Sequence, residues 1–560
     1  MSELLIGGRR PGRHRRLRSL AILAILVLLA ALAGYFIFRR MVAYDEPSGS
    51  SPSGPVVASV GEGGASLTWG GCALRHEGGI AVVRLVGGAH TLGACHGRLL
   101  GGAVGRATAP LVGAVEASVP RDGLIAGLFH GARLRWRYRL LDDGMPPAQL
   151  EEIAGVAHGA GVSFEDLVRA QAALDVGAPS ARAAGGGYRA VARALSVGVP
   201  ATGPSLIGRT VSLLGAADGG EGARPPLVRF VAREGAIPFA SVGWAGQVGV
   251  VTGINARGIA IFVHPASSTD VKPTRLAQPA ALIARDVLET AGTLDKAVAV
   301  VEQASPLGAA GYLIVDGARQ VAWIERSPTR TRVVRSPSPV AYGDVLTTEP
   351  FAEDADNDRA RRTRPSLARV QRAAELARRA PGAAAEHVVA ILRDAAAPGG
   401  QELPPGHRGA IDDPSAAHTV IVDPAGLLLW VADGPGAGGR FRAFDLRHEL
   451  RGEPPREALL AGQPADPARD PAVAEQVLAA LRDLRGARDA AADDERGRAR
   501  ELVARALARR PDLPAALLLA GDLARAAGDV DAARAHYGRY LEVGDDLAAV
   551  DQVRSYLREE

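Results

Sequence analysis

Two cysteines, Cys72 and Cys95, are the only thiols in the 560-residue chain. A thiolate is a strong nucleophile, but two cysteines outside the cytoplasm can also pair as a disulfide, and two separately buried thiols are the alternative. His90 and His96 lie near Cys95, yet neither a His-Glu-x-x-His nor a Cys-x-x-Cys pair accompanies them. The sequence therefore predicts no metal site and no cofactor.

An apolar segment at the N-terminus predicts where this chemistry would take place. Residues 19–38 carry no charge and are long enough, as a helix, to cross a hydrocarbon core of roughly 30 Å. Six arginines lie in residues 1–18, so we expect a cytoplasmic N-terminus and an extracytoplasmic main domain, periplasmic or on the cell surface. The alternative is a signal peptide cleaved before Gly34, after an Ala-x-Ala-like site.

Composition divides the remainder of the chain. Residues 39–66 are rich in Ser, Gly and Pro, which predicts a flexible linker. Residues 67–453 form the predicted main domain, residues 454–475 a proline-rich linker, and residues 476–560 a helical region. The net charge of +4 owes much to the N-terminal arginines, so the body is close to neutral.

The main domain alternates hairpin patterns with helical patterns, which predicts an α+β fold. Hairpin turns are predicted in residues 248–263, 312–324 and 419–431, and the flanking runs are apolar almost throughout, so both faces of each sheet should be covered. Helical periodicity in residues 147–158, 276–305 and 366–379 predicts the helices that cover them.

Small and aromatic residues in the tail, including Gly521, Ala533 and Tyr537, have a spacing that resembles the tetratricopeptide repeat. Small residues let paired helices approach closely, while Tyr537 fills the groove between them. The tail is therefore predicted to be a partner-binding surface for another protein. An ordinary helical hairpin docked on the main domain is the alternative.

Four segments in order resemble the penicillin acyltransferase-like family of cysteine N-terminal-nucleophile hydrolases, which is similar to acyl-CoA:6-aminopenicillanic acid acyltransferase. In chain order, the matching features are a Gly and His-Gly-Arg signature, two helical glycines, a Gly-Arg pair and an Asn-containing hairpin. The segments are residues 83–100 with His96, residues 149–167 with Gly155 and Gly159, residues 201–209 with Arg209, and residues 245–261 with Asn255. The resemblance implies a four-layer αββα fold and cleavage or transfer of acyl groups at amide bonds.

The family's catalytic residues are largely replaced in this sequence. The nucleophilic cysteine is expected near Tyr188, and a tyrosine side chain is held too far from its own backbone to attack the preceding carbonyl carbon. Where the family has Gly-Arg-Asn-x-Asp, this chain has Arg209 followed by Thr210 and Ser212. A later Asn-His pair aligns with Thr348 and Glu349, so three catalytic positions have changed together.

These substitutions predict a catalytically degenerate member that binds an acyl-amide or peptide-like ligand. Arg209, Thr210, Ser212, Asn255 and His96 are the candidate pocket residues. Asn255 could help to bind an oxyanion, as in the family, or could form its own hairpin turn. His96 could equally serve turn packing.

The alternative is an active amidohydrolase or acyltransferase that uses a displaced nucleophile, Ser180 or Ser196. A structural protein with a filled pocket is a third possibility. The basic and aromatic residues of 133–139 suggest a surface facing lipid headgroups or solvent, and an extracytoplasmic location argues against nucleic acid.

Overall fold

The computed structural model describes residues 13–61, 64–119, 123, 127–176, 192–198, 206–213, 226–272, 276–335, 341–380 and 384–559. Its main domain contains two sheets and two layers of helices, in agreement with the predicted α+β class. The apolar N-terminal segment forms helix α1 (Arg13–Val42). Among the described residues, one stretch, Leu20–Val42, is long and apolar enough to cross a membrane.

The larger sheet is antiparallel except where Ile80–Gly87 and Leu227–Arg233 pair in parallel. Eleven strands belong to it in the described part of the chain. In spatial order they are β1 (Val57–Gly61), β2 (Gly64–Trp69), β3 (Cys72–Glu77), β4 (Ile80–Gly87), β7 (Leu227–Arg233), β8 (Phe239–Gly243), β9 (Thr252–Asn255), β10 (Ala260–Ala266), β11 (Ala309–Val315), β12 (Val321–Arg326) and β13 (Thr331–Arg335).

The smaller sheet is antiparallel and has six strands within the described ranges. In spatial order they are β14 (Ala341–Tyr342), β5 (Ala192–Gly198), β6 (Ile207–Leu213), β15 (His418–Asp423), β16 (Leu428–Ala432) and β17 (Phe441–Asp445). All three predicted hairpins are therefore present, formed by β9–β10, β11–β12 and β15–β16. The first has shorter arms than predicted, because residues 248–251 precede β9 rather than belonging to a strand.

The helices surround the two sheets. Those of the main domain are α2 (Ala89–Leu100), α3 (Gly102–Ala117), α4 (His130–Arg137), α5 (Pro147–Ala160), α6 (Phe164–Gln171), α7 (Ala173–Val176), α8 (Ala280–Thr290), α9 (Leu294–Gln303), α10 (Ala355–Thr363), α11 (Ser366–Arg379), α12 (Ala385–Leu392) and α13 (Leu446–Arg451). The predicted helices in residues 147–158 and 366–379 are α5 and α11, whereas residues 276–305 contain two helices, α8 and α9.

The two sheets pack face to face, and helices cover their outer faces. Between the sheets, Phe230 of β7 meets Phe444 of β17 with 6.0 Å between ring centroids. Helices α2, α8 and α9 pack on the other face of the larger sheet, and α11 and α12 pack on that of the smaller one. This is the predicted four-layer αββα arrangement, and burial on both faces explains why the strands are apolar throughout.

The predicted flexible linker is more ordered than its composition suggested. Residues 57–61 form β1, which pairs with β2 at the edge of the larger sheet. The Tyr44 hydroxyl donates to the backbone oxygen of Tyr138 at 2.8 Å, and the Asp45 N–H donates to the Asp142 carboxylate at 2.8 Å. Backbone pairing at a sheet edge and contacts to a preformed domain order a polar segment that has no core of its own.

The C-terminal region consists of five helices in the described residues, joined by short turns. They are α14 (Pro471–Ala492), α15 (Arg496–Arg509), α16 (Pro514–Ala526), α17 (Val530–Val543) and α18 (Leu547–Glu559). A Cβ at Gly521 of α16 would lie 2.3 Å from the ring of Tyr537 on α17, so the glycine allows this close approach. The helix pair is present as predicted. Its assignment as a tetratricopeptide repeat stays a prediction.

Candidate functional site

Three polar side chains meet in the apolar space between the sheets. Strand pairing places Ser196 of β5 opposite Arg209 of β6, and His264 projects toward them from β10 of the other sheet. The Arg209 Nη1 atom lies 3.0 Å from Ser196 Oγ and 2.9 Å from His264 Nε2. Ser196 Oγ and His264 Nε2 are 3.0 Å apart, and all three residues are fully buried. We call these residues the inter-sheet cluster.

Arg209 determines the protonation of the inter-sheet cluster. A guanidinium only donates hydrogen bonds, so His264 Nε2 must accept one from Nη1. Burial, followed by the charge of Arg209, holds the pKa of His264 well below its usual value. His264 is therefore a neutral imidazole whose Nε2 lone pair is already engaged.

This protonation pattern makes Ser196 a poor nucleophile in the described arrangement. Activation of a serine hydroxyl needs a base with a free lone pair to accept its proton. The one lone pair of His264 Nε2 accepts from Arg209, and Ser196 lies in the middle of a buried strand. Ser196 and His264 are therefore the residue types of a catalytic dyad, but His264 has no free lone pair to accept the proton of the serine hydroxyl.

Arg209 is a buried cation without a carboxylate partner in the part of the chain described. Its Nη2 donates to the Val263 carbonyl oxygen, and its buried Nε has no partner among the described residues. Burial lowers its pKa to about 9, which leaves it charged at neutral pH. A buried cation held only by neutral groups favours a nearby anion or a strongly polar carbonyl group.

A second buried histidine, His418 of β15, lies on the same face of the smaller sheet as Arg209. His418 Nε2 lies 2.9 Å from Thr252 Oγ1, which belongs to β9 of the larger sheet. Burial, and then the charge of Arg209, lowers the pKa of His418 to about 3. Sequence reasoning missed both His264 and His418. The available signal was a histidine within an apolar strand, where an ionisable side chain needs a partner.

The predicted pocket residues of β6 face opposite sides of the sheet. Side chains alternate along a strand, so Arg209 points between the sheets while Thr210 and Ser212 point toward the helices. A Cβ at Gly208, on the same face as Thr210, would lie 2.5 Å from Val388 of α12. The Ser212 hydroxyl donates to the Asp413 carboxylate. Of these three candidates, only Arg209 joins the inter-sheet cluster.

Asn255 uses its whole amide group within its own neighbourhood. Its Oδ1 accepts from the N–H groups of Arg257 and Ile259 at 3.0 Å each. Its Nδ2 donates to the carbonyl oxygens of Leu288 at 3.0 Å and Ala291 at 2.8 Å. Asn255 therefore ties the β9–β10 turn to the C-terminal end of α8, and both amide hydrogens are already used.

His96 lies on α2 and serves a packing contact. Its Nε2 accepts from the Gly246 N–H at 2.8 Å. Burial, with smaller contributions from the charges of Arg229 and Arg285, lowers the pKa of His96 to about 3. The residue is therefore neutral, and its described partner belongs to a loop rather than to the inter-sheet cluster.

The glycines of the sequence signature form a helix crossing. A Cβ at Gly93 of α2 would lie 1.9 Å from the Glu152 carbonyl oxygen, and one at Gly155 of α5 would lie 2.2 Å from the His90 carbonyl oxygen. Gly97 and Gly159 make the same kind of backbone approach. The glycines of the signature therefore allow α2 and α5 to pack with their backbones in close contact.

The two cysteines form a disulfide that staples β3 to α2. Cys72 and Cys95 are both buried, with their Cα atoms 6.2 Å apart. Because the chain has no other cysteine, this bond leaves no cysteine as a free thiol. The pairing left open by the sequence is therefore decided by the fold.

Two predicted positions lie outside the described residues, namely Tyr188 and Ser180.

The segment aligned with the family's Asn-His pair is described. There, the Thr348 N–H donates at 2.9 Å and its hydroxyl at 2.6 Å to the buried carboxylate of Glu325. Trp323, which also donates to Glu325 at 3.1 Å, packs edge-on against His264 with 5.3 Å between ring centroids. Thr348 thus reaches the inter-sheet cluster only through Glu325 and Trp323.

Two mainly antiparallel sheets between helical layers, with a polar cluster between them, form the four-layer αββα arrangement that the resemblance to N-terminal-nucleophile hydrolases implies. Residues 228–402 match the model of the acyl-coenzyme A:6-aminopenicillanic acid acyl-transferase family. The matched range contains the last of the four segments, residues 245–261, and in this part of the chain the match agrees with the predicted resemblance. It matches no curated protein sequence.

Solved structures similar to part of the chain include an acid amidase, an acylase and a conjugated bile acid hydrolase. One is the N-acylethanolamine-hydrolyzing acid amidase ortholog of Caenorhabditis elegans, at 14% identity, covering 41% of this chain and 93% of that one, with a TM-score of 0.29. Penicillin V acylase from Agrobacterium tumefaciens has 15% identity, coverage of 45% and 86%, and a TM-score of 0.31. A mutant of conjugated bile acid hydrolase from Clostridium perfringens has 11% identity, coverage of 47% and 93%, and a TM-score of 0.31.

Proposed function

We propose that this protein is a membrane-anchored, extracytoplasmic member of the acyltransferase family that has lost thiol catalysis and binds a ligand without cleaving it. The carrying observation is that the only two sulfurs of the chain that could become thiolates are joined in the Cys72–Cys95 disulfide. A disulfide has no thiolate, so neither sulfur can act as the nucleophile. The helix Leu20–Val42 supports the anchor, and the N-terminal arginines support its orientation.

The buried charge of Arg209 supports binding as the retained activity. Its guanidinium is held in place by Ser196, His264 and the Val263 carbonyl group, without a described carboxylate partner. A ligand with a carboxylate or an amide carbonyl would supply the missing acceptor. An acyl-amide or peptide-like compound carries such a carbonyl group.

Intact-mass spectrometry of the purified full chain tests the loss of autoprocessing. We expect one uncut polypeptide, because family members generate their nucleophile by breaking an internal peptide bond and this chain has no thiol to do so. Two fragments separated within residues 180–196 would overturn the proposal. In that event, the Ser180→Ala and Ser196→Ala variants would identify the serine that acts. A product beginning at Gly34 would instead show that the anchor is cleaved.

Thermal unfolding in the presence of N-acylglycines of increasing chain length tests ligand binding. A compound that binds only the folded state raises the Tm, and tenfold more ligand above saturation adds about 1.4 kcal/mol of stability. We expect Arg209→Met to abolish this ligand-dependent shift. The matched control Arg229→Met removes another fully buried arginine outside the inter-sheet cluster and should retain the shift. No shift with the parent protein would favour a purely structural role.

A further inference from the structure

An exposed arm of the main domain combines aromatic and apolar side chains with arginines. Residues 127–139, which we call the arginine–aromatic arm, contain no acidic residue. Leu128, Phe129 and Trp136 remain 77%, 55% and 44% exposed. Four arginines, Arg133, Arg135, Arg137 and Arg139, alternate along the chain with Leu134, Trp136 and Tyr138. Large exposed apolar side chains next to basic ones are typical of a surface that lies in a lipid headgroup layer.

The arginine–aromatic arm lies directly beside the point where the anchor helix enters the main domain. Phe38, near the end of α1, stacks on Trp136 with 6.4 Å between ring centroids and 18° between their planes. Val42, at the end of α1, is buried. The Tyr44 hydroxyl then donates to the carbonyl oxygen of Tyr138. The arm and the end of the anchor therefore form one continuous surface.

The length of the anchor determines the depth of this surface in a bilayer. The uncharged run of residues 19–38 spans about 30 Å at 1.5 Å per residue, which matches the hydrocarbon thickness. Phe38 therefore lies at the outer edge of the hydrocarbon, and Trp136, stacked on it, lies at the same level. Tryptophan is enriched at this interface, where its ring contacts both acyl chains and headgroups.

The arrangement of the arginines suits a phosphate-bearing surface. The Arg139 guanidinium lies 3.9 Å from the centre of the Trp136 ring. Arg133 and Arg137 are exposed on α4, and Arg139 follows this helix. Arg135 is 3.7 Å from the Glu165 carboxylate, and the arm itself contains four arginines and no acidic residue. Anionic headgroups attract such segments, and long arginine side chains reach phosphates while their stems stay apolar.

We propose that the arginine–aromatic arm is a second membrane contact, in which Leu128, Phe129 and Trp136 enter the interface of an anionic phospholipid layer and the arginines bind its phosphates. This inference rests on the anchoring part of the proposed function. Two contacts, the anchor and the arm, restrict rotation of the main domain about α1. They hold it in one orientation on the membrane surface.

Full-length protein in nanodiscs tests this inference with a fluorescent label. The variant Leu128→Cys carries an environment-sensitive thiol-reactive dye on the arm, and Leu547→Cys carries the same dye at a matched exposed leucine of the tail, 61% exposed. The nanodiscs contain phosphatidylcholine with about 30 mol% phosphatidylglycerol, or phosphatidylcholine alone. Some of the lipids carry a quencher near the headgroup.

We expect lipid quenching of the label at residue 128 by about half or more in the anionic nanodiscs, with less quenching in neutral lipid and none at residue 547. Reversing two charges with Arg133→Glu and Arg137→Glu should reduce the quenching at residue 128 toward that of the tail. A label at 128 as unquenched as the one at 547, in protein that is incorporated in nanodiscs, overturns the inference and leaves the arm to a protein partner. Equal quenching in neutral and anionic discs overturns the headgroup specificity.

Failure of the anchor gives a different result. Protein that does not enter nanodiscs, and is recovered without lipid on a sizing column, contradicts membrane anchoring itself. The proposal for the arm fails with it. The two failures are therefore distinguishable, because the first depends on incorporation and the second on quenching after incorporation.

Discussion

At the scale of single residues, the candidate site residues differ in whether they have a hydrogen-bonding group left for a ligand. Arg209 has a buried Nε without a described partner, whereas both amide hydrogens of Asn255 are already donated to carbonyl groups. A polar group that is fully satisfied by its own fold has no free donor for a ligand. Arg209 is therefore the better candidate for binding, and Asn255 stabilises its hairpin turn.

His96 leads to a prediction about acid stability. Its folded-state pKa of about 3 lies below the ordinary value of 6.5, so the unfolded chain binds a proton that the folded chain does not. Stability should then rise with pH between these values and be lost as the pH falls below 6.5. From pH 7 to pH 5 the loss from this histidine should be about 2 kcal/mol.

Urea unfolding of the parent and of His96→Gln at pH 7 and pH 5 measures this contribution. The variant is less stable at pH 7, because the contact with Gly246 changes, but its stability should fall less on acidification. His76→Gln, at an exposed histidine of β3, is the matched control. An equal pH dependence in the parent and in His96→Gln would contradict the neutral, buried state of His96.

At the scale of elements, the crossing of α2 and α5 depends on glycines that face backbone atoms. A Cβ at Gly155 would lie 2.2 Å from the His90 carbonyl oxygen and 2.8 Å from the Ala94 nitrogen. A backbone cannot move aside as a flexible side chain can, so the helices would have to separate. We expect Gly155→Ala to destabilise the fold by about 1–3 kcal/mol or more.

Gly113→Ala in the neighbouring helix α3 is the matched control, since nothing lies within 4 Å of a Cβ built there. There the same substitution should stabilise the protein by about 0.5–1 kcal/mol, because alanine loses less conformational entropy in a helix. Denaturant unfolding of both variants measures the difference. Similar effects of the two substitutions would show that α2 and α5 are not in close backbone contact.

At the scale of the whole molecule, an ion pair joins the helical tail to the main domain. Arg408 donates from Nε to Asp545 at 2.7 Å and from Nη2 at 2.5 Å, and the Asp545 carboxylate is almost fully buried. His407 Nε2 also lies 3.1 Å from the Val543 carbonyl oxygen. The tail is therefore docked on the main domain by polar contacts from two consecutive residues.

We expect Asp545→Asn to weaken this docking by about 1–3 kcal/mol, less than for a fully buried pair because Arg408 is partly exposed. Asp512→Asn removes an exposed partner of Arg539 within the tail and should cost no more than about 1 kcal/mol. Hydrogen exchange of α17 and α18 measures the opening of the tail. Equal exchange in the two variants would contradict docking through Asp545.

Much of the fold follows from local sequence patterns. Turn residues and apolar runs predicted the hairpins β9–β10, β11–β12 and β15–β16, since strand and turn preferences act over a few residues. The same reasoning misjudged residues 57–61, because an edge strand is ordered by the sheet it joins rather than by its own composition. Arg209 was identified from a motif, but alternation along β6 separates it from Thr210 and Ser212.

The sequence by itself determined the number of cysteines, the apolar N-terminal segment and the three hairpins, because these depend on composition or on neighbours along the chain. Only the tertiary structure decided that Cys72 pairs with Cys95 and that His264 meets Arg209 and Ser196 between the sheets. His264 is separated from Ser196 by 68 positions and lies on a different sheet. No local preference encodes that distance. It results from packing two apolar sheet faces together, which brings the few polar side chains between them into contact.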